Sequence, residues 1–291
     1  MSKPLLVHTR GNLEHRLADN LSQRQAQIGL IPTMGALHAG HASLMALARD
    51  RIRDGVMIVS VFVNPLQFGD AEDLARYPRT LASDVEMCAA AGVDVVFAPP
   101  VSEMYPNGEP EIAVDPGARG DLFEGASRPG HFRGVLTVVA KLFGLARPDV
   151  AVFGEKDFQQ LALIKAMVRD LSLGIDIVGG PTLREPDGLA MSSRNRFLSK
   201  SERVQAAFVN KALRAAQGAA GAGRSPERVR DLARAELAAS SIDVDYLAIA
   251  GPDLTSLPPL VDPGTGGRIL VAARVGGIRL IDNMPLVFGP V

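Results

Sequence analysis

The chain has 291 residues but only one cysteine, Cys88, no tryptophan, and 5% aromatic residues. One thiol cannot close an internal disulfide, so a reducing compartment fits and a cysteine-rich zinc site is excluded. Cys88 falls in an Ala-rich helical pattern over 82–91, where small-residue packing is expected rather than catalysis. Few aromatic side chains argue against a broad stacking surface for single-stranded nucleic acid. An excess of either charge is also missing: 31 basic residues against 32 acidic leave −1, which gives no electrostatic footprint for duplex binding. No apolar run is long enough to span a membrane, and residues 1–10 have no apolar core of signal-peptide length. Internal repeats are absent as well. A cytoplasmic enzyme with neither nucleic-acid nor membrane partners is the expectation. What remains is ordinary for a globular protein, 47% hydrophobic and 22% charged, with enough length for two modest domains.

The most informative stretch runs from Ile31 to His41. An apolar run over 28–31 stops at Pro32 and Gly35, and helical spacing (Leu44, Leu47, Ala48) begins just beyond. Strand, loop and helix start in that order make an anion site: backbone N–H groups, the positive end of a helix dipole, and glycines that allow close approach. His38 and His41, three apart, face the same way in a first helical turn. The bland alternative is a pair of polar residues at a helix cap.

Further strands are expected over 56–63, 93–98, 148–153 and 175–178, alternating with helices over 81–91, 135–145 and 158–169. That alternation reads as an α/β, Rossmann-like parallel sheet, with ligands beyond the carboxyl ends of its strands. Asn64 and Gln67 follow the strand over 56–63, where amides suit a substrate bearing hydroxyl and carboxylate groups. Asn64 is also a natural turn cap. Residues 101–130 look like a long loop ending in Arg128, Pro129, Gly130 and His131, where basic groups again meet a helix start. Lys156 follows Gly154 after the strand over 148–153, and Gln160 lies one turn into the next helix. The cluster Gly179-Gly180-Pro181 marks a boundary between domains 1–181 and 182–291. Past it, Met191, Ser192, Ser193 and Arg194 form a polar loop suited to phosphate oxygens, or alternatively a basic helix cap. Helices over 201–217 and 226–239, joined by a flexible Gly-Ala stretch at 218–223, and short strands over 244–250, 268–273 and 277–281 complete a small α+β domain.

Taken together, the motifs resemble the pantothenate synthetase (pantoate–β-alanine ligase) family of the nucleotidylyltransferase superfamily. They are Pro-Thr-Met-Gly-Ala-Leu-His-Ala-Gly-His at 32–41, Phe-Val-Asn-Pro-Leu-Gln-Phe at 62–68 and His-Phe-Arg-Gly-Val at 131–135. Phe-Gly-Glu-Lys-Asp-Phe-Gln-Gln at 153–160 and Met-Ser-Ser-Arg-Asn at 191–195 follow. His-x-Gly-His alone is a superfamily signal; the ordered set, covering nearly the whole chain, is specific to the family. Ala39, Gly130 and Phe158 depart from the more frequent Glu, Thr and Tyr, but none removes a reacting donor.

The resemblance implies attack of the pantoate carboxylate on the α-phosphorus of ATP, then of the β-alanine amine on the resulting acyl adenylate. It implies ATP contacts at Met34, Gly35, Ala36, Leu37, His38, Ala39, Gly40 and His41, and at Gly154, Glu155, Lys156 and Asp157. Leu183, Met191, Ser192, Ser193 and Arg194 complete the ATP set, with 182–291 closing as a lid. His38, His41 and Lys156 are the implied catalytic residues, His41 as proton donor. Gln67 and Gln160 would bracket pantoate, Gln67 would also meet β-alanine, and Asn64, Arg128 and His131 would assist. The family further implies Mg2+ with the ATP and a homodimer. No dense carboxylate cluster marks a metal site; Asp84 is a candidate, and the phosphates themselves are the other holder of the ion. Rival readings are a related ligase for another hydroxy acid, a nucleotide-binding module without turnover and, against the charge and domain content, a tRNA-charging enzyme.

Overall fold

Runs of β-branched residues buried on both faces are what a parallel sheet covered by helices demands, and the first unit is built on them. The computed structural model describes residues 3–23, 26–69 and 71–290. Contacts group Met1–Glu155 with Leu163–Pro181 in one unit, and Lys156–Ala162 with Thr182–Val291 in another. The first contains β1 (Leu5–Val7), β2 (Ile28–Thr33), β3 (Val56–Val61), β4 (Val95–Phe97), β5 (Val150–Gly154) and β6 (Asp176–Gly180), all paired in parallel in the order β1-β4-β3-β2-β5-β6. Its helices are α1 (Arg10–Gln23), α2 (Ala39–Ile52), α3 (Ala71–Arg76), α4 (Leu81–Ala90), α5 (Val101–Met104), α6 (Glu124–Ser127) and α7 (His131–Ala146). The expected Rossmann-like α/β sheet is present. Chain order runs outward from β2 through β3 to β4, then reverses to β5 and β6, so the topological switch point lies between β2 and β5.

Met45, Ala48 and Ile52 of α2 pack with Ile31, Met57, Val59, Val96 and Val152 of the sheet and with Cys88 of α4, forming one core. Four successive residues of β2 are buried, which explains its unbroken apolar run. α7 is buried on almost every side, its first residue, His131, included.

The second unit joins β7 (Asp243–Ala250), β8 (Gly266–Val275) and β9 (Ile278–Val287) in an antiparallel sheet of order β7-β8-β9. α8 (Phe158–Asp170) starts in this unit, and α9 (Lys200–Gly221) and α10 (Pro226–Ala238) lie wholly within it. Val209, Leu213, Ala216, Val229 and Leu237 pack on Ile269, Val271 and Leu286. The expected small α+β unit is present.

The elements depart from the sequence expectation in places with physical causes. β1 and α1 had no counterpart in the sequence reading. Residues 101–130 are not a plain loop, since α5, α6 and a short 3-10 turn at Ala118–Asp121 interrupt them. α9 continues through Gly218 to Gly221 because Ala216 and Ala220 are buried in the core, so packing overrides the low helix propensity of glycine. β9 extends well past residue 281, since the Asp282 and Asn283 that break its apolar pattern are buried and bonded to arginines.

Candidate active site

In the first unit, everything follows from how the β2–α2 loop is pinned. Gly35 has φ 81°, and an added Cβ would lie 2.9 Å from Asp84 Oδ2, so both its backbone and its surroundings require glycine. Asp84, 2% exposed on α4, accepts from Ala36 N at 3.1 Å and Leu37 N at 2.8 Å, and from the Thr80 hydroxyl. Gly35 N donates to Thr33 Oγ1, whose hydroxyl donates to Ser60 O at 2.7 Å. Asp84 is therefore the loop's internal anion. Its oxygens are committed to the protein, and among the described residues no group of three or more His, Cys, Asp or Glu is placed to hold a metal. Asp84, with both oxygens taken up by these donors, therefore does not open a magnesium site among the described residues.

His38 caps α2, and His41 stands at its third position. Gly40 N donates to His38 Nδ1 and His38 N to His41 Nδ1, both at 3.2 Å, a reciprocal cap made by two imidazoles. The rings lie 4.2 Å apart. An imidazole whose Nδ1 accepts carries its proton on Nε2 when neutral, so each ring's N–H edge is Nε2. The histidines cap the helix through Nδ1, and that capping fixes the neutral tautomer with its proton on Nε2. The loop N–H groups of Ala36, Leu37, His38 and Gly40 are all engaged inside the protein, so an anion here would meet the rings and the helix dipole before backbone donors.

Beyond β3, Asn64 caps a 3-10 turn (Pro65–Gln67) by accepting from Leu66 N. Asn64 Nδ2 donates to Gln67 Oε1, and Gln67 Nε2 donates to the thioether of Met34 at 3.0 Å. Gln67 O accepts from His131 Nδ1 at 2.9 Å and Arg128 Nη2 at 3.2 Å. His131 thus has its proton on Nδ1, and Nε2 accepts from Arg128 Nη1 at 3.2 Å. Met34, Asn64, Gln67, Arg128 and His131 are one bonded cluster. A cavity of about 150 Å³ beside it is lined by Gln67, Phe68, His131, Arg133, Glu109 and Thr137 among others.

In the second unit, Lys156, half-buried, has its carboxyl neighbour Asp157 at 3.9 Å and its carbonyl bonded by Asn283 Nδ2 at 2.7 Å. Asn283 Oδ1 accepts from Arg268 Nε at 2.7 Å, and the Arg268 guanidinium covers the Phe158 ring at 4.2 Å. That stacking needs no hydroxyl on the ring, which fits phenylalanine at 158. Arg184 grips Asp282 through both oxygens at 2.7 and 3.0 Å. Ser192 caps the turn Ser193–Phe197 and accepts from Arg194 N; Asn195 Nδ2 bonds Glu185 and Ala190 O. Lys156, Ser192, Arg194, Asn195, Arg279 and Asp282 line a cavity of about 20 Å³. Met191 N donates to Leu183 O at 2.9 Å, so these two residues share a hairpin. Gln160 is half-buried in the first turn of α8. Sequence reasoning missed Tyr105, Arg268, Asp282 and Asn283, because partners tens of residues away leave no local signal.

A doubly wound sheet whose switch-point helix begins with two imidazole donors defines an α/β protein of the nucleotide-binding kind. A family model described as pantoate-beta-alanine ligase matches residues 6–285. The pantothenate synthetase of a Nocardioides species is 61% identical over 99% of this chain and 87% of its own length. A crystal structure of the Thermus thermophilus pantothenate synthetase superposes with a TM-score of 0.88 at 45% identity, covering 96% of this chain and 98% of that one. The Francisella tularensis pantoate-beta-alanine ligase, solved with beta-gamma ATP and beta-alanine, gives 0.78 at 32% identity over 97% of each chain. The chain belongs to the pantoate–β-alanine ligase family.

Proposed function

We infer that the protein condenses pantoate with β-alanine at the expense of ATP, releasing AMP and diphosphate and producing pantothenate. The observation that carries the reading is the imidazole pair at the switch-point helix start, in a chain matched by the family model over 6–285. A carboxylate oxygen of pantoate bonds to the α-phosphorus as the bond to the β-phosphate oxygen breaks and diphosphate leaves. The β-alanine nitrogen then bonds to the acyl carbon, the bond to the AMP oxygen breaks, and the amine proton passes to solvent.

The protein's share is positioning and charge. His38 and His41, with protons on Nε2, donate hydrogen bonds to the triphosphate, and His41 serves as the proton donor to the departing diphosphate, its proton being restored from solvent. Lys156 neutralises charge on the phosphates. The ATP contacts fall at 34–41, Gly154, Glu155 and Asp157, with Leu183 beside the adenine and Met191, Ser192, Ser193 and Arg194 at the phosphates. Gln67 and Gln160 hold pantoate, and Gln67 also meets β-alanine. Asn64, Arg128 and His131 support that region, and their bonds to the Gln67 side chain and carbonyl favour an indirect role. Residues 1–181 bind ATP and pantoate and 182–291 act as the lid. Mg2+ enters as the counter-ion of ATP, held by its phosphates. No helix among the described residues is long and apolar enough to cross a membrane. The enzyme works in the cytoplasm as a homodimer.

Purified protein incubated with pantoate, β-alanine and ATP should give AMP and pantothenate in equal amounts. ADP as the only nucleotide product would overturn the reading.

A further inference from the structure

Gln67 belongs to a hydrogen-bond chain that reaches a residue no motif contains. Asn64, 1% exposed, uses its whole capacity: Oδ1 accepts from Leu66 N at 3.3 Å and from Tyr105 Oη at 2.9 Å, while Nδ2 donates to Gly134 O and Gln67 Oε1, each at 3.1 Å. The backbone partners fix which end of the Asn64 amide is oxygen. Of the two donors to that oxygen, Tyr105 makes the shorter bond, and its ring is clamped by Phe62 at 6.0 Å and the Lys141 ammonium at 5.4 Å. Burial pushes the Tyr105 phenol well above its usual range, so it stays a donor at any working pH. The bond from Asn64 Nδ2 to Oε1 orients the Gln67 amide, so that its NH2 points away from Asn64 and rests on the thioether of Met34 at 3.0 Å. A thioether is a weak acceptor, easily exchanged for a ligand oxygen.

We propose that Tyr105 is a positioning residue for the acid substrate: through Asn64 it locks the Gln67 amide so that Gln67 offers an N–H donor, selecting an oxygen acceptor on the acid. Naming that acid as pantoate rests on the function proposed above.

Tyr105→Phe keeps the ring and removes one hydroxyl. Losing one neutral bond at the end of the chain should raise the KM for pantoate about 3- to 10-fold, with the KM for ATP unchanged within about twofold. In a Gln67→Ala background the same substitution should cost less than about twofold, since its route of action is gone. Equal losses in both backgrounds, equal rises for pantoate and ATP, or an unchanged KM for pantoate in the single variant would overturn the relay. Asn64→Asp is the second variant. It sets an oxygen against Gln67 Oε1 and should raise the KM for pantoate further, and a value within about twofold of wild type contradicts the proposal. Nitrogen-resolved side-chain amide spectra of the ligand-free protein separate this proposal from the identity of the acid. Tyr105→Phe must shift the amide signals of both Asn64 and Gln67, and a Gln67 pair left unmoved overturns the relay whatever acid the enzyme takes.

Discussion

Replacing Asp84 by asparagine separates a loop anchor from a metal ligand. The carboxylate lies 2.8 Å from Leu37 N and 3.1 Å from Ala36 N, one donor to each oxygen, and the Thr80 hydroxyl touches both oxygens. Asparagine retains one acceptor and turns an NH2 toward the other N–H, so one charged hydrogen bond is lost and a buried donor is stranded. Bonds to charged acceptors contribute about 1.5–3 kcal/mol and a stranded buried donor costs a similar amount, so a net loss of about 3 kcal/mol is expected. For a unit of this size that corresponds to a fall of about 6–12 °C in melting temperature. The assay is calorimetry on the ligand-free protein with a chelator present, followed by a magnesium titration of AMP formation. The anchor account predicts the full fall in stability without metal, a raised KM for ATP from the loosened loop, and an unshifted magnesium midpoint. An unchanged melting temperature together with a right-shifted magnesium titration would refute it and make Asp84 a ligand.

Other consequences follow from the same geometry. The Cys88 thiol is pushed up to about 12, first by burial and then by the charge of Asp84, so it stays protonated and sealed at pH 8; a disulfide reagent should label it only after denaturant is added. Gly134→Ala places a Cβ 2.3 Å from Leu66 O and 2.8 Å from Gln67 N, so the Gln67 turn must move, and the KM for pantoate should rise at least about 10-fold, as read by steady-state kinetics. His41→Ala and Lys156→Ala should each slow AMP formation by about a hundredfold or more while circular dichroism stays native. Arg268→Ala removes the stacking on Phe158 and the bond to Asn283 and should lower the melting temperature by several degrees, about 2 kcal/mol in a buried pair.

The sheet was legible because its strands are short apolar runs that end in Pro or Gly, as at Asn64-Pro65 and Pro99-Pro100. The histidine pair was legible as part of a helix start but not as a reciprocal cap, because which ring nitrogen accepts depends on backbone geometry at 38–41. Asp84 carried the opposite ambiguity. As a carboxylate in a chain whose family resemblance implies magnesium it was a ligand candidate, and only the loop folded over it shows what its oxygens bind. β9 was cut short because Asp282 and Asn283 look like the end of a strand unless Arg184 and Arg268, far away in sequence, are known to pair with them. Asn64 and Gln67 were legible in the 62–68 motif, but the bond from Tyr105, 41 residues away, leaves no sequence pattern.

Formation of the acyl adenylate is the central chemical claim, and oxygen labelling tests it most directly. With pantoate carrying 18O in both carboxylate oxygens, attack on the α-phosphorus leaves one labelled oxygen in each AMP when the amine later cleaves the acyl C–O bond. One 18O per AMP, with none in diphosphate, is the predicted result; unlabelled AMP, or label in inorganic phosphate alongside ADP, would contradict the account.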